Sequence, residues 1–428
     1  MKRIDSSPQV SWSCVLPMLA AVAVAGCSRS GPSPAGRPAQ APGLAEPSQA
    51  ERLAYAGEVV AAFDARDRAK VDSLIDWRTL VDAGTESLGI SENERSEIFQ
   101  GVRNSVSGEH GFAGQMIAAS AQGGSLRLLG ERKRQGKTVL LFRMTYPVDK
   151  GGLCYYEYVP RRFPDGKLRA ADIYIYLAGE FLSEILRRLM LPMIADRSRT
   201  ILDRLVTGDQ DFVRDFPRIG QAGKLVSQGR SAEALAIYRT LRPGTLENKA
   251  VLLGRLRAAQ EVDEKDYMAV MDDLQKLFPN DPCLDLIAID AFLLRKDFAG
   301  ALGAIDRLDR SVGGDPYLDV MRASVHELQG DHRAAFESAR RAVEREPTLR
   351  DAHLVLLTFG LEQKDHGEVL ARLKDLHDRF GLSFDDMEHE EEYADFVKSP
   401  RYADWLAYLK DQAKPASAKP ADGPPSKR

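Results

Sequence analysis

The chain has 428 residues, of which 44% are hydrophobic and 29% are charged, and its formal net charge at pH 7 is −4. This is the composition of a globular protein, so a chain that is disordered throughout is excluded. The weak net charge favours neither a nucleic-acid-binding surface nor a polybasic membrane patch, and we expect no nucleic-acid partner.

The first 26 residues are typical of a signal peptide that is removed on export. After two basic residues comes an apolar segment from Cys14 to Ala25, which ends in Val24-Ala25-Gly26-Cys27. That tetrapeptide resembles the bacterial lipobox, which implies cleavage before Cys27 and a lipid anchor of the diacylglycerol and palmitate type on its thiol. Ser28, and not aspartate, follows the cysteine. The resemblance then implies an outer-membrane lipoprotein that faces the periplasm and touches the membrane only through its lipid.

Two other interpretations of this segment stay open, an ordinary secretory signal with an incidental cysteine and a short transmembrane helix. The apolar run of about 12 residues is shorter than the roughly 20 that a spanning helix needs, which argues against the helix. Residues 27–50 are rich in Pro, Ala, Gly and Ser. They predict a disordered tether that holds the folded part away from the lipid surface.

Residues 51–195 predict an α+β domain with helices first and strands second. Apolar residues at helical spacing indicate two helices between residues 53 and 81, and Ser91 with Glu94 predicts the capping box of a third. Beyond residue 125, short polar turns separate strand-like segments, which predicts an antiparallel meander of about four strands. This order of elements resembles the NTF2-like and cystatin-like folds.

The predicted strands carry polar and aromatic side chains that are candidates for a small-molecule or peptide pocket. We expect them on one face of the sheet: Arg143, Tyr156, Tyr158, Asp172, Tyr174 and Tyr176. In the alternative interpretation, neighbouring helices cover this face and leave no pocket. An amphipathic segment after Glu180 predicts one helix of that kind, and a connecting helix is predicted at 196–215.

Residues 216–381 carry a repeat with a period of about 34 residues. The clearest unit has Gly330-Asp331 at its turn, Ala335 and Ala342 in its second helix, and Pro347 after it. This spacing resembles the tetratricopeptide repeat. The resemblance implies an all-α solenoid of paired helices with a concave groove that binds a protein or peptide partner. An earlier unit has Tyr267 where the family has alanine, so we expect that helix pair to cross at a different angle.

The resemblance also implies which residues line the groove, because in this family the first helix of each pair faces it. Transferred position by position, the lining residues are Leu286, Asp290, Leu293, Val320, Ser324, Glu327, Leu354, Thr358 and Leu361. They are apolar with acidic positions and lack the basic clamp by which some members hold a peptide carboxylate. An apolar or basic segment therefore fits better, and the alternative is a face that is simply solvated.

The segment after the repeats predicts an aromatic cap at 382–412 and a disordered tail at 413–428. The acidic run Glu388 to Glu392 is typical of a solvated loop, since it lacks the glycine and the alternating oxygen ligands of a calcium site. Cys154 and Cys283 lie in apolar segments. Two buried free thiols are favoured over a disulfide between them.

Motifs for catalysis were sought and not found. The seven histidines show no HExxH spacing, there is no CxxC pair, and no nucleophile elbow, phosphate-binding loop or dinucleotide fingerprint occurs. We therefore expect no catalytic residue, no metal and no cofactor. The sequence favours a non-enzymatic, lipid-anchored scaffold or adaptor of the cell envelope. The alternative is a ligand-binding or enzymatic α+β domain for which the repeats recruit a partner.

Overall fold

The computed structural model describes residues 45–412, apart from short gaps at 107, 110, 122–123, 135, 147–151, 198–201, 204, 261, 280 and 385. The chain divides into two compact units, an N-terminal unit that ends at Val312 and a C-terminal unit that begins at Gly313. The predicted signal peptide with Cys27, most of the tether and the tail at 413–428 lie outside the described residues. No described helix has both the length and the apolar character needed to cross a bilayer.

The N-terminal unit begins with a group of helices. They are α1 (Gln49–Asp64), α2 (Arg68–Ser73), α3 (Trp77–Thr85), α4 (Glu92–Val106) and α5 (Phe112–Ala121). At the start of α4, the Ser91 amide donates to the Glu94 carboxylate at 2.7 Å and the Glu94 amide donates to the Ser91 hydroxyl at 3.3 Å. The predicted capping box is thereby confirmed.

A five-stranded antiparallel sheet follows these helices. Its strands are β1 (Ser125–Arg134), β2 (Lys137–Thr145), β3 (Leu153–Arg162), β4 (Leu168–Ile175) and β5 (Glu180–Phe181). Each strand pairs with the next one along the chain, so the sheet is a meander. The predicted strands are confirmed as a meander. The fifth strand was not predicted, because two residues are too few to show an alternating pattern.

One face of the sheet forms a buried core with the preceding helices. Phe112 of α5 packs edge-on against Tyr156, with ring centroids 6.1 Å apart. Tyr158 packs against Phe142 at 4.9 Å, and its hydroxyl lies 3.7 Å from the sulfur of Met116. All five side chains are almost completely buried, so this face is filled by aromatic packing.

The remainder of the N-terminal unit is helical. Its helices are α6 (Leu182–Arg197), α7 (Thr207–Ser227), α8 (Ser231–Tyr238), α9 (Pro243–Leu246), α10 (Lys249–Gln260), α11 (Glu264–Leu277), α12 (Pro282–Leu294) and α13 (Phe298–Val312). Helix α7 continues through Pro217, so the predicted limit between connecting helix and repeats at 215/216 lies inside a helix. Asp215 is fully buried there and accepts hydrogen bonds from the Arg242 amide and the Thr245 hydroxyl, which fix α7 to the following helices.

The C-terminal unit consists of two helix hairpins and a terminal group of short elements. The hairpins are α14 (Pro316–Gln329) with α15 (His332–Arg345), and α16 (Arg350–Glu362) with α17 (His366–Phe380). Gly330 ends α14 with a φ of 79°, a left-handed conformation that glycine adopts without strain. In the second hairpin, a Cβ on Gly360 would lie 3.1 Å from a methyl group of Val369, so the two helices approach closely at this small residue.

The terminal group covers the end of the second hairpin. It comprises two 3₁₀ turns, α18 (Ala394–Val397) and α19 (Pro400–Gln412). Trp405 and Phe396 are each 1% exposed and pack in one cluster with Leu373 and Leu376 of α17. The predicted sequence of an α+β region followed by a long helical run is confirmed, and the free thiols of Cys154 and Cys283 are buried as expected.

His353 of α16 is buried within the C-terminal unit, with 1% of its surface exposed. Arginine can only donate, so Nδ1 accepts from Arg372 at 3.1 Å, and Nε2 then donates to the carbonyl of Pro347 at 2.9 Å. Burial is the main cause that lowers the pKa of the imidazole, and the positive charges of Arg372 and Arg379 lower it further. The hydrogen bond to Pro347 and the negative charge of Asp375 act in the opposite direction. The folded unit therefore favours neutral His353.

We expect acid to destabilise the C-terminal unit through His353. The unfolded chain protonates this imidazole near its ordinary pKa, while the folded chain does so only at lower pH. Between the two pKa values the unfolded state binds more protons, so the free energy of unfolding falls as the pH falls. Urea unfolding at about pH 7.5 and about pH 5.5, on either side of the ordinary value of about 6.5, measures the loss. The loss should be larger in the wild type than in His353→Gln, and equal losses would contradict the expectation.

Candidate partner-binding surface

The groove residues predicted in the N-terminal unit are largely inaccessible. Leu286 is fully buried, Asp290 is 6% exposed and Leu293 is half-buried. Burial is the main cause that raises the pKa of the Tyr267 hydroxyl, and the negative charge of Asp290 raises it further. The carboxylate therefore lies near Tyr267, which stands where the repeat pattern predicts alanine. The prediction that Leu286 and Asp290 face a partner is wrong, because these side chains belong to the helix packing.

The groove residues predicted in the C-terminal unit divide into packed and accessible ones. Val320 is 6% exposed and packs with Ala342 and Leu349, so it also belongs to the core. Leu354 is half-buried against the terminal aromatic cluster. Leu361 also packs against that cluster but is only half-buried, so part of it is accessible, as are the half-buried Ser324 and Glu327 and the exposed Thr358.

Two further residues extend this accessible strip. Leu328 of α14 is 48% exposed, and Glu362 at the end of α16 is exposed as well. Positions 324, 327 and 328 of α14 match positions 358, 361 and 362 of α16, one repeat later, and each set follows the i, i+3, i+4 spacing of one helix face. We name this strip the C-terminal groove, with the residues Ser324, Glu327, Leu328, Thr358, Leu361 and Glu362.

The acidic end of the C-terminal groove contains two carboxylates and one imidazole. His332, in the first turn of α15, has its Nδ1 atom 2.8 Å from Glu327 Oε1. Glu327, His332 and Glu362 each contribute one possible ligand atom, and these three atoms lie within 4.8 Å of one another. Burial raises the pKa of Glu362, the charge of Glu327 raises it further, and His332 lowers it. The carboxylates of Glu327 and Glu362 are therefore close enough to repel each other electrostatically.

Sequence reasoning missed Glu362 and His332. Metal-binding motifs such as HExxH place their ligands on one helix, whereas these residues meet because successive helices stack. The available signal was the repeat itself, which places Glu362 beside Glu327 once the first helices of two units are aligned.

No protein-family model matches the chain, and no curated protein is similar to it in sequence.

The predicted pocket residues do not share one face of the sheet. Tyr156 pairs with Ile175 across the strands and Tyr158 with Ile173, whereas Tyr174 pairs with Glu157. Cross-strand partners point to the same side, so Tyr156 and Tyr158 face the helical core. The prediction of a single tyrosine face is wrong because the register of β3 and β4 places Tyr174 opposite Glu157, and thus on the other face from Tyr156 and Tyr158.

The other members of the predicted pocket are occupied by contacts within the unit. Arg143 pairs with Tyr155 and is 1% exposed. The Asp172 carboxylate accepts from the amide and hydroxyl of Ser183 and so holds the start of α6, while burial raises its pKa. These two side chains are structural in this arrangement.

The second face of the sheet carries a buried polar network around Glu157. Glu157 is fully buried, and its carboxylate pairs with Arg132 at 2.7 Å and with Arg134. The Tyr176 hydroxyl donates to the same carboxylate at 3.0 Å. The guanidinium of Arg134 also lies over the ring of Tyr174, 3.9 Å from its centroid.

The network continues from the sheet to the helices that follow it. The Tyr174 hydroxyl donates to Asp281 at 3.0 Å, and Asp281 pairs with Lys249. Lys249 also donates to the carbonyl of Gly179 at 2.9 Å, while Arg132 donates to the carbonyl of Ser311. Helices α10, α12 and α13 are thus bonded directly to the sheet.

A surface cleft of about 730 Å³ lies beside this network. Arg132, Lys133 and Arg134 of β1 form one wall, and residues of α11 to α13 form the other. None of the six predicted pocket residues lines it. Among its cations, Arg132 and Arg134 pair with Glu157, and Arg307 pairs with Asp285 at 2.7 Å, whereas Lys133 donates to the Thr138 hydroxyl.

Proposed function

We propose that the chain is a lipid-anchored scaffold or adaptor of the bacterial cell envelope that binds a protein or peptide partner through its C-terminal groove. The observation that carries this proposal is the strip on α14 and α16, in which apolar, hydroxyl and acidic side chains are accessible at matching positions of two successive repeats. Stacked helix hairpins present surfaces of this kind to extended or helical segments.

The chemistry of the groove favours a basic partner segment. Glu327 and Glu362 give one end negative charge, and within the described part of the chain no lysine or arginine forms an ion pair with either of them. Leu328 and Leu361 add apolar contact area beside the acids. A segment with a basic residue next to apolar ones complements both properties.

The membrane attachment belongs to the same proposal and is supported by the lipobox-like tetrapeptide that ends at Cys27. We favour the outer membrane, with the folded part in the periplasm, since Ser28 follows the cysteine. A non-enzymatic role is supported because the side chains predicted to form a pocket are engaged in packing and in the Glu157 network.

Charge reversal in the groove is expected to weaken partner binding without unfolding the protein. In Glu327→Lys/Glu362→Lys the acidic end becomes positive and repels a basic segment, so we expect at least about tenfold weaker binding, or about 1.4 kcal/mol. A photo-crosslinking amino acid at Thr358, followed by mass spectrometry of native envelopes, measures recovery of the partner. Thr358 is suitable because it is exposed.

The matched control is Glu344→Lys on α15. Glu344 is 62% exposed, pairs only loosely with Arg340 at 3.4 Å and lies outside the groove. The melting temperatures of the proteins should agree. If the double variant yields as much crosslinked partner as the control, the groove is not the binding surface. Asp290 is unsuitable for such a test because its burial would confuse binding with folding.

A further inference from the structure

The acidic end of the C-terminal groove has the composition of a metal site. It offers one imidazole nitrogen and two carboxylate oxygens, from Glu327 at the end of α14, His332 at the start of α15 and Glu362 at the end of α16. Metal sites of this type combine ligands from different elements, because one helix presents few ligands to a single point. We propose that Glu327, His332 and Glu362 bind a divalent transition-metal ion, for which Zn²⁺ is the best match.

The distances are close to those that the ion requires. Zinc binds nitrogen and oxygen ligands at about 2.0–2.2 Å in tetrahedral geometry, so its ligand atoms lie about 3.3 Å apart. The three possible ligand atoms of Glu327, His332 and Glu362 lie within 4.8 Å of one another, and Glu327 Oε1 and His332 Nδ1 are 2.8 Å apart. Rotation of the accessible Glu362 side chain is enough to close the remaining gap. With three protein ligands, the fourth position is left for water or for a group of a partner.

The electrostatics of the cluster also favour a cation. The Glu327 and Glu362 carboxylates lie close together, His332 pairs with Glu327, and within the described structure no lysine or arginine forms an ion pair with either carboxylate. Each is accordingly a better ligand than a carboxylate that is already held by arginine. The imidazole selects against calcium and magnesium, which prefer sets of oxygen ligands, and favours zinc and its neighbours in the first transition series.

The backbone holds the three ligands in place. Gly330 turns the chain sharply after α14, and the Asp331 carboxylate then accepts from the Ala334 amide at 3.0 Å, which starts α15. His332 is therefore held at the start of α15, next to the end of α14 that carries Glu327. Ala323 of α14, Ala339 of α15 and Leu356 of α16 pack in one buried cluster, which fixes the spacing of the three helices. Ligands carried on rigid elements lose little freedom on binding.

Zinc titration calorimetry on the untagged, purified protein tests the proposal. We expect one Zn²⁺ per chain in the wild type. Because loss of a partner outside the ligand shell already costs about 10–100-fold in metal affinity, we expect loss of a ligand in His332→Ala or Glu362→Gln to cost at least about tenfold. A ligand that binds only the folded state raises its stability, so zinc should also raise the melting temperature of the wild type more than that of either variant.

The control is His389→Ala, which removes another exposed histidine that pairs with a carboxylate. His389 lies 2.7 Å from Asp386, and this pair belongs to no cluster of three possible ligands among the described residues. Its variant should bind zinc like the wild type. The proposal is overturned if the wild type binds no zinc, or if His332→Ala and Glu362→Gln both bind as tightly as His389→Ala. Zinc binding is measured on the protein alone, so the result does not depend on whether the groove binds a partner.

Discussion

Glu157→Ala is expected to destabilise the N-terminal unit by about 3–5 kcal/mol, the cost of removing one member of a buried ion-pair network. The carboxylate is fully buried between Arg132, Arg134 and the Tyr176 hydroxyl. Its removal leaves two largely buried guanidinium groups without their counter-charge. Urea unfolding measures the loss, and faster amide hydrogen exchange in β3 would locate it in the sheet.

The control for this experiment is Asp165→Ala, which breaks an ion pair at the exposed end of the same sheet. Asp165 is 45% exposed and pairs with Arg169 four residues later. Such surface pairs contribute about 0–1 kcal/mol. Replacing Glu157, Arg132 and Arg134 together by apolar residues of similar size should recover much of the loss, because neither guanidinium is then left without its counter-charge. A loss for Glu157→Ala no larger than for Asp165→Ala would show that the network contributes little.

Cys27→Ser is expected to move the protein from the membrane fraction to the soluble fraction. Acyl chains contribute about 0.8 kcal/mol per buried CH₂ group, so losing them removes the attachment almost completely. Fractionation of cells followed by mass spectrometry of the mature N-terminus measures both location and lipidation. In the wild type we expect the first mature residue to be Cys27, carrying the mass of a lipid.

A second variant separates lipidation from retention by an uncleaved signal. It combines Cys27→Ser with a secretory signal of the general type in place of residues 1–26, so that cleavage no longer requires the lipoprotein pathway. This protein should be soluble in the periplasm. If it still sediments with membranes, or if the wild-type N-terminus carries no lipid, the anchor proposal fails.

The order of elements could be predicted from the sequence because local patterns determine it. Alternation gave the four long strands, and Gly330, Ala335 and Ala342 marked a helix hairpin whose turn and packing the structure confirms. Ser91 and Glu94 gave a capping box for the same reason, since all its atoms lie within four residues. Each of these signals depends on neighbours in the chain.

The functional surfaces were predicted less well because they depend on contacts distant in sequence. The faces of Tyr156 and Tyr174 follow from strand register, which alternation within one strand does not determine. Asp290 has the periodicity of a groove residue and is nevertheless buried, near the buried Tyr267 of the preceding helix. The meeting of Glu362 with Glu327 required the stacking of two repeats.

The bonds of Lys249 and Asp281 to the sheet affect how this protein can be recombined in evolution. The Tyr174 hydroxyl and the Gly179 carbonyl find their partners on helices more than sixty residues later in the chain. A buried polar group that loses its partner costs about 1–3 kcal/mol, so a sheet joined to a foreign helical array would carry that cost at several positions. The sheet and helices α10 to α13 therefore form a single exchangeable module, and changes at Lys249, Asp281 and Tyr174 should be inherited together.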